Sequence, residues 1–172
     1  MSPEASNDAP VVSIPEHTIL LVVCAYAAAF VAFGLIVDGP ARVLHGLVEI
    51  VTTRDALLTD YFGAGGIGAG SVNAGLLTLC AAFVYFRANA RINGAAVACL
   101  FLVLGFGLFG KNLFNIWSII LGVYLYARFK GDPFSAHINT AFFGAALAPV
   151  FSEILFSSIL PFEVRLPLAL GT

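Results

Sequence analysis

The chain has 172 residues, of which 60% are hydrophobic and only 10% charged, and its mean hydropathy is +0.97. That composition excludes an ordinary water-soluble domain, and a net charge of −2 carried by scattered residues leaves no basic stripe for nucleic acid. Counted in spans of about 20 apolar residues each, the length gives an all-α, polytopic integral membrane protein with four to five apolar spans.

Residues 1–17 read as a polar, Pro-containing tail with Glu4, Asp8 and Glu16 and neither Lys nor Arg, which argues against a cleaved signal peptide. The transmembrane domain takes the remainder, residues 18–172. Residues 18–37 are uncharged, long enough to cross a hydrocarbon core of about 30 Å, and Asp38-Gly39-Pro40 ends that span by turn chemistry. Over residues 41–60 the pattern turns amphipathic: Leu44, Leu47, Val48 and Val51 recur at helical spacing, with Arg42, His45 and Glu49 on the other side. This helix is expected along the interface or against the bundle.

Residues 61–86 carry no charge, but they begin with a run of glycines, each costing about 1 kcal/mol against Ala in a helix. Regular helix is therefore expected from near Ser71, after a break between Gly63 and Ser71. The next apolar stretch, residues 95–129, would be about 52 Å long as one helix, far more than a bilayer needs. It must break at Lys111-Asn112 into two short helices, either two thin spans or a re-entrant hairpin. Arg87 and Arg91 precede the pair and Arg128 and Lys130 follow it, placing both ends on one face, the cytoplasmic one by the positive-inside tendency. Residues 138–160 form a final span kinked by Pro149. After Pro161 a further apolar helix opens without reaching spanning length, so the chain reads as truncated at its C-terminus.

Polar groups inside these runs are the candidate site. Gly63, Gly65 and Gly68 satisfy the spacing of a dinucleotide fingerprint, but no strand precedes them and no acid follows before Asp132. The same glycines serve either close helix contact or an unwound entry to a half-helix, whose N-terminal N–H groups near Ser71 face a polar or anionic solute with Asn73 alongside. Lys111, Asn112 and Asn115 are either an interfacial turn with a snorkelling lysine or a re-entrant tip, where Lys111 supplies charge near the midplane, Asn112 caps the second half-helix and Asn115 projects one turn further into the site. Glu153, inside an apolar helix, needs a partner or water: either it pairs, with Lys111 the natural candidate, or it lies at the interface near the helix end, seven residues before Leu160. The predicted substrate-binding residues are thus Ser71, Asn73, Lys111, Asn112, Asn115 and Glu153. Cys24, Cys80 and Cys99 show no ligand spacing and His17, His45 and His137 are scattered, so no metal, cofactor or catalytic residue is predicted.

GGIGAGSVNAGLLT, residues 65–78, and FGKNLFNIWSIILGVYLYARF, residues 109–129, together resemble an uncharacterised bacterial membrane family, domain of unknown function 1576. The resemblance implies a bacterial inner-membrane location and a multi-span architecture, with this chain as the N-terminal half of a protein about twice as long. It implies no substrate, reaction or cofactor. The expected function is binding or translocation of a small polar or anionic solute at broken helices. A non-transporting scaffold or assembly subunit, or a membrane enzyme acting on a lipid-linked substrate, are the alternatives. The expected partners are the lipid bilayer, a small polar solute, and either the missing C-terminal half or a second copy.

Overall fold

A computed structural model describes residues 14–54, 59–157 and 161–171, and in this range the chain is helical, without a β-ladder. The polar tail up to residue 13 lies outside the described residues. The helices are α1 (Glu16–Thr52), α2 (Tyr61–Gly65), α3 (Ile67–Arg87), α4 (Gly94–Phe106), α5 (Ile116–Lys130), α6 (Phe134–Gly144), α7 (Ala148–Leu155) and α8 (Phe162–Leu170); a 3₁₀ turn, Ala145–Leu147, joins α6 to α7. Three segments are long and apolar enough to cross a membrane: Glu16–Thr52, Ile67–Arg87 and the composite Phe134–Leu155. Gly94–Phe106 is a shorter apolar helix.

The first span does not end in a loop at Asp38. Gly39 alone leaves helical geometry, at φ 73° and ψ 157°, and the helix resumes at Pro40. That backbone conformation is open essentially only to glycine, and proline supplies the preset φ for a new first turn. The distal half of α1 then packs through Val43, Gly46 and Ile50. Of the stripe expected to pack, Leu47 and Val51 are partly buried while Leu44 and Val48 point outward, because glycine at position 46 allows a closer approach than leucine could.

α3 is the central helix, and α1 runs antiparallel to it. The contact is set by glycines: a Cβ at Gly75 would meet the Ala27 carbonyl at 2.5 Å, and one at Gly68 would meet the Gly34 carbonyl at 2.6 Å. Close backbone approach is what such residues provide where lipid offers no hydrophobic drive between helices. It also offsets the helix cost of the glycines, so α3 starts at Ile67, four residues before the expected Ser71. The predicted break falls at Gly66, with φ 90° and ψ 162°. Asp38 caps the new start: its Oδ2 accepts from the Gly68 N–H at 2.6 Å.

Glu16 accepts a hydrogen bond from Ile92 N–H, and one cleft is lined by Arg87, Tyr124, Pro133 and Phe134. The start of α1, the α3–α4 turn and the α5–α6 turn therefore share one end of the bundle, the basic end. α4 and α5 form a hairpin that leaves this end and returns to it. The 13 residues of α4 rise about 20 Å. Its last turn ends where Gly107 abuts Ala74, seven residues below the top of α3. In α6 and α7 the expected kink is taken by the 3₁₀ turn just before Pro149, which lacks an N–H for a continuing ladder.

Candidate functional site

The hairpin tip, residues 107–115, is where sequence and packing concentrate polar groups. α4 stops because Gly110 adopts φ 81° and turns the chain back, so that Lys111 N–H reaches the Phe106 carbonyl at 3.1 Å. Asn112 and Asn115 then start α5 reciprocally. Asn112 Oδ1 accepts from the N–H groups of Phe114 and Asn115, both at 2.9 Å, while Asn115 Oδ1 accepts from Asn112 N–H at 3.0 Å. This is the logic of a capping box, with two asparagines satisfying orphan donors at the head of the helix.

Neighbouring elements hold the tip from three sides. From α3, Asn73 Nδ2 donates to the carbonyls of Gly107 at 2.7 Å and Lys111 at 2.8 Å. From α7, Ser152 Oγ accepts from Asn115 Nδ2 at 3.1 Å, and the same amide also donates to the Gly110 carbonyl at 2.8 Å. From α2, Tyr61 Oη accepts from Asn112 Nδ2 at 3.1 Å, and Asp60 pairs with Phe109 through the backbone. Asn73, Asn112, Asn115, Lys111 and Ser152 are all buried, none more than 2% exposed.

Lys111 is the outlier in this set. Its Nζ donates to the Phe142 carbonyl at 3.2 Å and sits 4.8 Å from the centre of the Phe106 ring. An ammonium has three donors, and among the described residues no carboxylate pairs with it. Asn73 is also incompletely paired. With its nitrogen fixed by two carbonyls, its Oδ1 is buried without a donor among the described residues. Burying such groups costs free energy that only a partner, water or a ligand returns.

Of the six residues predicted from sequence, the structure brings together Asn73, Lys111, Asn112 and Asn115. Ser71 does not join them. Two residues along a helix rotate the side chain by about 200°, so Ser71 bonds back to the Ile67 carbonyl and lines an apolar groove with Ala29, Phe30 and Phe33. Glu153 does not pair with Lys111 either. It takes two hydrogen bonds from Arg54, at 3.0 and 2.5 Å, near the surface of the end opposite the basic one. The expected lysine partner lies deep in the bundle, and an arginine at the end of α1 is nearer. Lys111 is buried rather than snorkelling.

Sequence reasoning missed Tyr61, Ser152 and Asp38. Tyr61 follows an N-capping Asp60, whose side chain accepts from Phe62 N–H, and that start signal was readable. Nothing local marks Ser152 as the partner of an asparagine 37 positions earlier.

A family of proteins of unknown function, DUF1576, has a model that matches residues 39–172. The chain belongs to that family. No curated protein and no solved structure shows significant similarity to it. The matched range contains the whole hairpin, all four convergent residues and both partners of the Arg54–Glu153 pair, so the geometry above is that of the family region.

Proposed function

We propose that this family member is a transporter-like protein of the bacterial inner membrane that binds or translocates a small polar or anionic solute at the tip of the α4–α5 hairpin. The hairpin is then re-entrant, entering and leaving at the basic end, and that end is cytoplasmic. The observation that carries the reading is Lys111, a buried amine with a carbonyl and an aromatic ring for company and, among the described residues, no carboxylate paired with it. A solute carrying negative charge or a strong acceptor would complete its donors. Asn73 Oδ1 would take a donor from the same solute or from accompanying water. The C-terminal half of a longer chain, or a second copy, would complete the transport path.

A scaffold reading draws on a different observation. Asn112 and Asn115 spend most of their hydrogen-bonding capacity on the tip's own backbone, which is what a rigid structural plug requires. The two readings part on Lys111. Purified protein is melted in a series of sodium salts that differ only in the anion, chloride, acetate, bicarbonate and phosphate, alongside Lys111→Met. Solute binding is supported when a subset of anions raises the wild-type melting temperature and the variant loses that response. Equal responses of both proteins to every anion would leave the scaffold.

A further inference from the structure

The distal half of α1 does not continue alongside α3. A Cβ at Gly34 would strike the Gly68 carbonyl and Val72, whereas one at Gly46 would strike the Gly65 carbonyl and Ala69. Twelve residues along α1 thus correspond to three along α3, so the distal half turns across the head of α3. There it packs on α2, with Ile50 against Tyr61 and Ala69. Tyr61 in turn bonds Asn112 at the hairpin tip. The far end of this crossing helix is tied to α7 through Arg54 and Glu153, and Glu153 is the immediate neighbour of Ser152, the partner of Asn115.

The two helices of this cover, residues 40–52 of α1 and Tyr61–Gly65, are bracketed by Gly39 and Gly66. Both glycines have backbone angles essentially closed to other residues, φ 73° and φ 90°. Just beyond these pivots, Asp38 and Gly68 are hydrogen-bonded to each other at 2.6 Å, so the fixed sides of both are joined. Two adjacent pivots on a common base define a hinge line, and hinges are built from a few element-terminal residues that absorb large changes in φ and ψ. The contacts that resist rotation include the Ile50–Tyr61–Ala69 packing, Gly46 on Ala69, Phe62 beside Gly70, the Asp60–Phe109 backbone pair, Tyr61 with Asn112, and the Arg54–Glu153 pair, which is partly exposed.

We propose that α2 and the distal half of α1 are a flap that swings about Gly39 and Gly66, and that the Arg54–Glu153 pair latches it over the hairpin tip. The inference deepens the solute-site reading, since a site with every side chain buried needs a way in; the movement itself is measured without solute.

The test is thiol accessibility in the membrane-embedded chain with Cys24, Cys80 and Cys99 changed to Ser. Ser152→Cys, beneath the flap, is the first reporter, and Ile50→Cys, on its underside, is the second should the first not fold. Each is combined with Arg54→Gln, with Glu153→Gln, and with the exchanged pair Arg54→Glu/Glu153→Arg, and the rate of reaction with a small water-soluble maleimide is followed. A several-fold faster reaction in the two latch-broken proteins, reversed by the exchanged pair, supports the flap. Unchanged protection overturns it. So does an equal rise at Cys99 retained as the single cysteine in the same latch backgrounds, because that residue lies in the α4 core and reports general loosening. A flat labelling result leaves the anion dependence of melting untouched, and the converse also holds, so the two ideas fail separately.

Discussion

Asn73 is the one α3 side chain that grips the hairpin by its backbone, and replacing it tests whether the tip is built as described. Asn73→Leu keeps the branched outline, at a larger volume, and removes both donors, leaving the Gly107 and Lys111 carbonyls without this partner in a buried site. Hydrogen bonds between membrane helices average about 0.6 kcal/mol and reach about 1.7, so two of them are worth roughly 1 to 3 kcal/mol. Removing the orphaned Oδ1 relieves on the order of 1 kcal/mol. The two carbonyls left buried without this donor cost about 1 kcal/mol more, so the net expectation is a loss of about 1 to 3 kcal/mol. Asn73→Asp is the sharper probe, because a carboxylate has no donor for the two carbonyls and, ionised, repels them. It should cost more than Leu although it is nearly isosteric with Asn. Unfolding in mixed micelles titrated with a denaturing detergent measures both. A leucine variant within about 0.5 kcal/mol of wild type, or an aspartate variant more stable than the leucine one, would refute the claim that this amide pins the tip.

Glycines divide into those that touch and those that bend, and substitutions should separate them. Gly75→Ala places a methyl against the Ala27 carbonyl and should destabilise the α1–α3 pair by about 1 to 3 kcal/mol, whereas Gly122→Ala in α5 meets nothing within 4 Å and should stabilise by up to about 1 kcal/mol; paired melting curves decide. Gly39→Ala also meets no atom within 4 Å, yet it should cost about 1 to 3 kcal/mol from backbone strain alone, and a neutral result there would remove the hinge geometry. Asp38→Ala should cost about 0.5 to 2 kcal/mol by uncapping α3, with Asp38→Asn much milder, read as amide exchange protection at Gly68 and its neighbours.

The helical class and the two breaks were legible because they follow from length. A stretch of apolar residues too long for one span must interrupt itself, and glycine runs and the Lys111-Asn112 pair name the places. The four convergent residues were legible for a related reason: amides and an amine within apolar sequence need partners, and partners lie where helices stop. Ser71 and Glu153 lie apart from the other four for reasons that spacing does not carry. A two-residue offset decided the face of α3, which the sequence constrains only through a periodicity blurred by small residues on every side. For Glu153 the sequence offers either the lysine or an interfacial place near the helix end; it does not show Arg54, 99 positions away, which reaches it once the distal half of α1 turns across α3. That turn is set by one residue, Gly39, whose sequence signature is the same as that of an ordinary loop.

The hairpin tip shows why polar atoms alone do not identify a working site. Asparagines 112 and 115 have the composition of a binding site and the hydrogen bonds of a helix cap, and each bond to the tip's backbone is one fewer available to a solute. Lys111 differs because a cap has no use for a buried amine. Its stem crosses from the tip toward α6 to reach a single carbonyl, and a leucine would fill that path at lower desolvation cost. A charge kept where an apolar side chain would stabilise more is the feature that structural need does not explain. It is therefore on Lys111, rather than on the more numerous asparagines, that a functional reading of the hairpin has to stand.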